Sequence, residues 1–316
     1  MVTPLRVVFF GTPQFAVPTL QHLLASRHQV VGVVTQPDRP RGRGQKVSDS
    51  PVKTVALEHG VPLVQPEKLR HPDFAAALRS WQPDLGVVAA YGRIIPKDIL
   101  ALPRLGMINV HGSLLPKYRG AAPVHRAVID GETETGITIM RVEETLDSGP
   151  MLAKATRPID PNETSDIVER DLSELGAPLL VSVVDAMSER DVPEELQDST
   201  ACSYAPKVTK EEGLIDWSLP GIDVHNRVRG LYPWPHAYTY LNGQRLIVLR
   251  THVDSGTTDA EPGTILDTAG DAIHVATGHG GRVAIDELQP EGRRPMKARD
   301  FLAGHTISPG ARLTGK

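Results

Sequence analysis

The residue types best able to do chemistry gather in one stretch, Gly106-Met-Ile-Asn-Val-His-Gly-Ser-Leu-Leu-Pro116. Asn109 and His111 stand two apart at the end of an apolar run. In a strand both side chains leave the same face, while Val110 between them turns to the other. An amide donor beside an imidazole at the carboxyl end of a strand is a pair suited to stabilising an oxyanion. A strand-end histidine alone is more often structural. The in-phase Asn109 and the polar loop Ser113–Gly120 behind it favour chemistry. Asp147, in Glu143-Glu-Thr-Leu-Asp-Ser-Gly149, is the natural third member, a carboxylate to orient the imidazole and help move a proton. An aspartate before Ser-Gly is also a good turn former.

Two further loops follow apolar runs. Gly11-Thr-Pro-Gln-Phe15 sits where a dinucleotide fold would carry G-x-G-x-x-G, but Pro13 and Gln14 replace the glycines that let a pyrophosphate approach. A nicotinamide dehydrogenase is therefore disfavoured. The loop Gln36–Lys46 carries Arg39, Arg41, Arg43 and Lys46 against the single acid Asp38. Guanidinium forks match phosphate oxygens, so the loop is either a phosphate contact that orders on binding or a solvated surface loop. The chain as a whole has a formal net charge of −4, which excludes wholesale electrostatic binding to nucleic acid and leaves room for such a local patch. Its one cysteine, Cys202, excludes an intramolecular disulfide. No run approaches the ~18 apolar residues of a membrane span.

The elements that must position these residues are legible in the hydrophobic pattern. Strand-length runs at Arg6–Phe10, Gln29–Thr35, Pro62–Gln65, Asp84–Tyr91, Met107–His111 and Gly136–Val142 alternate with segments of helical period. Those segments are Phe15–Ser26, Pro51–Gly60, Pro72–Trp81, Pro96–Leu102 and Pro123–Asp130, several of them opened by proline. Near-continuous apolar strands alternating with helices predict an α/β domain with a mostly parallel sheet covered on both faces, its site beyond the carboxyl ends of the strands. Asn162–Arg190 reads as one or two helices interrupted near Gly176-Ala-Pro178, and Asp191–Thr200 as an exposed acidic linker. After a further helix over Pro220–Gly230 come short strands at His236–Leu241, Arg245–Val253, Gly263–Asp267, Ala272–Ala276 and Arg282–Gln289. They predict a small β-barrel of oligonucleotide-binding type. The 316 residues thus divide into a domain over 1–190, a linker over 191–203 and a second domain over 204–316. A core strand starting at residue 6 leaves no room for a signal or transit peptide, so a cytoplasmic protein is expected.

Taken together, Phe9-Phe-Gly-Thr-Pro-Gln-Phe-Ala16, Thr35-Gln-Pro-Asp-Arg-Pro40, Asn109-x-His111-x-Ser-Leu-Leu-Pro116, Arg119-Gly-Ala-Ala-Pro123 and Leu146-Asp-Ser-Gly149 resemble the methionyl-tRNA formyltransferases. The resemblance continues through Tyr204-Ala-Pro-Lys-Val-Thr-Lys210, Ile215-Asp-Trp217 and Pro233-Trp-Pro235, and so spans nearly the whole chain. It implies a Rossmann-like formyltransferase domain followed by an OB-type barrel, and transfer of a formyl group from 10-formyltetrahydrofolate to methionyl initiator tRNA. It further implies Asn109, His111 and Asp147 as catalytic residues, Ser113, Leu114, Leu115 and Pro116 as the folate-contacting segment, and a loop around Arg43 beside the tRNA acceptor stem. Gly112, His125 and Thr145 depart from the usual pattern without removing a catalytic group. On the predicted topology the folate cleft also takes in Tyr91–Ile95, where Gly92 permits close approach, and backbone groups beside Ile94 and Leu115 are placed to hydrogen-bond a flat pterin between apolar walls. Arg39, Arg41, Arg43, Lys46, Lys207 and Lys210, with Arg227 and Arg229, are the expected tRNA contacts. No metal, membrane or obligate protein partner is expected. A small-amine formyltransferase acting on a nucleotide sugar would need neither the basic loop nor the barrel. A catalytically inert RNA-binding module would leave Asn109, His111 and Asp147 unused.

Overall fold

The computed structural model describes residues 3–41 and 46–315. The chain forms two compact units. The first takes in the residues up to Pro123, Thr135–Arg157 and Glu169–Ala205; the second takes in Val124–Glu134, Pro158–Val168 and the residues from Pro206 onward.

The first unit is built on a seven-stranded sheet. Its strands are β1 (Arg6–Gly11), β2 (Gln29–Val34), β3 (Leu63–Val64), β4 (Leu85–Ala89), β5 (Met107–His111), β6 (Glu134–Arg141) and β7 (Met151–Pro158). Their spatial order is β7-β6-β5-β4-β1-β2-β3. From β3 to β5 every pairing is parallel, and β5 pairs with β6 antiparallel. The central strands are buried along almost their whole length because both faces are covered. On one face Phe10 meets Phe74 and Tyr91 edge-on at 6.5 and 5.4 Å, with Val8, Val88 and Leu78 packed around them. On the other, Gly176 of the helix Ser165–Glu189 lies against Val110 and Ile137.

Helix starts follow local chemistry. Ser50 caps the helix Pro51–Glu58 by accepting the Lys53 N–H at 3.2 Å, with proline at the first helical position. The expected break at Gly176-Ala-Pro178 does not occur, and one helix runs from Ser165 to Glu189 with Pro178 inside it. Proline there costs a single backbone hydrogen bond, to the carbonyl of Glu174. Both Pro178 and Glu174 lie on the exposed side, where water can satisfy that carbonyl, while Leu172, Ala177, Leu180 and Val184 stay buried and hold the helix down. Strand β7 was not foreseen, since only Met151 along it is fully buried and Lys154 and Arg157 interrupt the apolar pattern.

The second unit carries the helix Gly221–Gly230 and an antiparallel sheet that curls on itself. Its long strand Gln244–Asp254 pairs with both Ala237–Leu241 and Arg282–Pro290, and register irregularities between Val248 and Thr251 let it bend. Ile265–Asp267 and Ile273–Ala276 continue the sheet. The carboxyl-terminal segment closes it. Leu313–Thr314 pairs with Tyr240–Leu241, and the N–H groups of Ile265 and Leu313 bond to the carbonyls of Ala311 and Gly263, each at 2.8 Å. Val248, Ile273, Val275, Val283, Ile285 and Leu288 fill the interior. An antiparallel barrel of short strands, as the turn spacing predicts, is the result.

At Gly136 β6 lies close against β7, since a Cβ there would collide with the Ala155 carbonyl and Leu114. Backbone cannot yield as a flexible side chain does. Gly136→Ala should lower stability by about 1–3 kcal/mol, read as a reduced urea midpoint; an unchanged midpoint would contradict the packing described.

Candidate active site

Strand β5 ends at His111, whose side chain is only 5% exposed. Its neighbour β4 ends beside it, Ala89 pairing with Val110, so the loops after Ala89 and His111 leave the sheet side by side at its carboxyl edge. Asn109, in phase with His111, is half-buried. The imidazole Nε2 lies 2.9 Å from the Tyr118 carbonyl. A carbonyl only accepts, so Nε2 carries the proton, and Nδ1 is left facing the Asp147 carboxylate at 3.7 Å. That separation exceeds a direct hydrogen bond. The same carboxylate oxygen of Asp147 accepts the Gly120 N–H at 2.9 Å.

Three local features make this arrangement. Tyr118 (φ 62°) and Gly120 (φ 127°) are both left-handed, so the turn between them shows a carbonyl to His111 and an N–H to Asp147. Gly120 is required there, because a Cβ would come within 2.7 Å of the Ala205 carbonyl. Asp147 is itself left-handed at φ 49°. Thr138 on β6 braces the loop after His111, its hydroxyl donating to the Ser113 carbonyl at 2.7 Å and accepting the Leu115 N–H at 3.1 Å.

The structure thus brings His111 and Asp147 together on the framework of β5 and keeps Asn109 in phase on the same strand. Among the expected folate contacts, Ser113 and Leu115 turn inward. The Ser113 hydroxyl donates to the Lys117 carbonyl at 2.6 Å, and Leu115 is packed with Met140 and Met151. The Leu115 N–H, already given to Thr138, is not free for a ligand. Leu114 and Pro116 are half-buried, and Ile94 is 78% exposed. Gly92 has φ 76°, and its open side faces the Gln36 amide, which donates to the Tyr91 carbonyl at 2.7 Å. Tyr91 is buried behind this loop, and burial pushes its phenol up to about 12.

Of the basic residues, Arg39 is exposed. Its neighbour Asp38 is bound by Lys53, and this hydrogen bond, with that to Asp49, raises the Lys53 ammonium above its ordinary value. The one acid of the loop is thereby ion-paired, sharing Lys53 with Asp49. Arg41 and Lys46 lie in a short antiparallel pairing of Pro40–Arg41 with Lys46–Val47, and Arg43 lies outside the described residues. Lys207 and Lys210 are exposed, and neither forms an ion pair among the described residues. Arg229 is different from the expectation. It is buried, donating to Asn226 and the Glu163 carbonyl, and it cannot reach a nucleic acid. Arg227 donates to the Glu212 carbonyl. His125 donates from Nδ1 to the Gly230 carbonyl at 2.8 Å, since that carbonyl has no proton to give. Sequence reasoning missed Tyr118 and Gly120, which act through backbone groups, and Thr138, whose signal was only its place on a strand next to β5.

Comparison with known proteins agrees with this geometry. The formyl transferase family matches residues 5–184, and the formyl transferase C-terminal domain matches residues 207–306. A methionyl-tRNA formyltransferase of Trichlorobacter lovleyi is 49% identical over 313 residues, covering 99% of this chain and 98% of the relative. One from Bacillus licheniformis is 46% identical over 308 residues, covering 98% of each. Among solved structures, the sugar 3N-formyl transferase WlaRD, crystallised with dTDP and 5-N-formyl-THF, superposes with a TM-score of 0.66 at 16% identity, over 92% of this chain and all of that one. HypX from Aquifex aeolicus, in complex with tetrahydrofolic acid, gives 0.64 at 16% identity over 99% of this chain and 51% of its own. At such identities the two structures speak for the fold alone. A family match over both parts of the chain and relatives near half identical along its whole length place the protein in the formyl transferase family.

Proposed function

We propose that the protein transfers the formyl group of 10-formyltetrahydrofolate to the α-amine of methionyl initiator tRNA. The observation that carries this reading is the His111–Asp147 pair, set at the carboxyl end of a parallel strand by one turn and accompanied in phase by Asn109. The relatives named methionyl-tRNA formyltransferase, aligned end to end, support the choice of acceptor.

The chemistry asks little of a base at the start. A free α-amine has a pKa of about 7.7–8.0, so a useful fraction is neutral at pH 7. Its nitrogen attacks the formyl carbon, the carbonyl becomes an oxyanion, and collapse expels N10 of the folate, which takes up a proton as the new amide loses one. Asn109 is assigned to the oxyanion as a donor, and His111 joins it from Nδ1 as the imidazolium, in which both ring nitrogens carry a proton. Asp147 receives the proton from the attacking amine, directly or through a water in the gap beside Nδ1. Holding Nε2 on the Tyr118 carbonyl keeps Nδ1 aimed at the reacting centre before substrate arrives.

In this reading residues 1–190 are the catalytic domain, 191–203 a linker and 204–316 the tRNA-binding domain. Folate lies along Gly92, Ile94 and Ser113–Pro116. Its contacts come from the exposed Ile94 and the half-buried Leu114 and Pro116, with Ser113 and Leu115 shaping the loop from behind. Arg39, Arg41, Arg43, Lys46, Lys207 and Lys210 meet tRNA phosphates. No helix among the described residues is long and apolar enough to cross a membrane, and a cytoplasmic location belongs to the same proposal.

The direct test supplies 10-formyltetrahydrofolate with charged initiator tRNA, charged elongator methionine tRNA or an amino-sugar nucleotide. Rapid formylation of the initiator tRNA alone is expected. Formylation of the amino sugar with none of the tRNA would overturn the reading. Within the site, His111→Ala should lower kcat by about 10²–10³, the cost of one oxyanion donor, with folate affinity nearly unchanged. Turnover close to wild type in a folded His111→Ala protein would remove it from the mechanism. Lys207→Ala with Lys210→Ala should raise KM for tRNA, make it depend less steeply on salt, and leave KM for folate unchanged; equal KM values for tRNA in variant and wild type would deny these lysines a role.

A further inference from the structure

The segment from Val192 to Ala205 takes no part in the proposed chemistry, yet it is fastened to both halves of the site within the first unit. Most of it is exposed, and Glu195 exchanges backbone hydrogen bonds with Met151 at 2.8 and 2.9 Å. Ser203 accepts the Tyr118 N–H on its hydroxyl and the Arg119 N–H on its carbonyl, each at 2.9 Å. Between these anchors Gln197, polar and unlike its exposed neighbours, turns inward.

We propose that Gln197 is a positioning residue for Asp147, its side-chain amide fixing the turn that aims the carboxylate at His111. The buried Arg119 donates from Nε to the Gln197 Oε1 at 2.9 Å. A guanidinium has no acceptor, so the amide oxygen must face Arg119 and the NH₂ must face away from it. That NH₂ donates to the Asp147 carbonyl at 2.9 Å and to the Gly149 carbonyl at 2.8 Å. Both amide hydrogens and the amide oxygen are thereby engaged. Asp147 is left-handed at φ 49°, a conformation aspartate tolerates better than most residues, and the amide fixes the backbone in it from both sides of Ser148. Gly149 fits only without a side chain, a Cβ there colliding with the Arg141 carbonyl. With the backbone on both sides of Ser148 gripped by one amide, the Asp147 carboxylate has its Cα fixed, and its oxygen meets the Gly120 N–H and His111. Arg119 in turn belongs to the Tyr118–Gly120 turn, so the amide ties the His111 acceptor to the Asp147 turn.

The inference rests on the catalytic reading of Asp147, and the experiment separates the two. Steady-state formylation of initiator tRNA is measured for Gln197→Ala, Gln197→Glu, Asp147→Asn and the Gln197→Ala/Asp147→Asn double variant, with thermal unfolding of each. Glu keeps the length and offers Arg119 an ion pair, but it loses both donors and sets oxygen against two carbonyls. Both Gln197 variants should lose about 10–100-fold in kcat, the scale of a misplaced catalytic group, while KM for tRNA and folate stays close to wild type. Gln197→Glu should unfold near the wild-type temperature. On the Asp147→Asn background Gln197→Ala should cost nothing more, since its effect runs through the missing carboxylate. A normal kcat in Gln197→Glu, or losses that multiply in the double variant, would overturn the positioning role while leaving the Asp147 assignment intact. Full activity in Asp147→Asn would overturn that assignment and this inference with it.

Discussion

Two backbone groups of a single turn orient the candidate site: the Tyr118 carbonyl, 2.9 Å from His111 Nε2, and the Gly120 N–H, 2.9 Å from the Asp147 carboxylate. Because one accepts and the other donates, they treat the imidazole and the carboxylate differently. The carbonyl commits the proton of the neutral ring to Nε2; the N–H satisfies one carboxylate oxygen without neutralising it. A buried imidazole with an unmade bond would cost about 1–3 kcal/mol, so the pairing stabilises the fold and sets the chemistry at once. The remaining ring nitrogen, Nδ1, is then presented to Asp147 at a distance that leaves space between them.

The sheet explains why the turn can do this. Strand β5 is flanked by the parallel β4 and the antiparallel β6, so its end is fixed from both sides, and Thr138 of β6 ties down the loop that follows. The cluster around Phe10, Phe74 and Tyr91 takes in Met107 of this strand on one face, and Gly176 of the long helix packs against its Val110 on the other. A rigid strand end carrying a braced loop is a frame on which reacting groups hold position before substrate arrives. In the second unit the exposed Lys207 and Lys210 precede the strands of the curled antiparallel sheet along the chain.

What could be read in the residues followed the range of the interaction. The strand Met107–His111 is found where the alternation and apolar run predict it, with Asn109 and His111 on a common face, because that signal is local. The mostly parallel sheet and the run of short barrel strands are legible for the same reason. Pro178 misled because a proline on the solvent side of a well-anchored helix costs only one hydrogen bond. Ser113 and Leu115 sit in the loop after the strand Met107–His111, but which side chains face inward depends on Thr138, a residue of another strand. Arg229 carries the charge of a nucleic-acid contact, and its burial against Asn226 is a tertiary matter. Gln197 had no local signal at all, since its partners stand 50 and 78 residues away.

The most direct measurement is the protonation of the His111 ring nitrogens, read by long-range ¹H–¹⁵N correlation NMR on protein labelled at histidine, with His111→Ala to assign the signals. In the neutral ring the account predicts a protonated Nε2 and a bare Nδ1, with that preference lost when residues 118–120 are replaced by a turn that removes the carbonyl from Nε2. A neutral ring protonated at Nδ1 would contradict it, because the Tyr118 carbonyl would then face a lone pair and could not be what aims the imidazole.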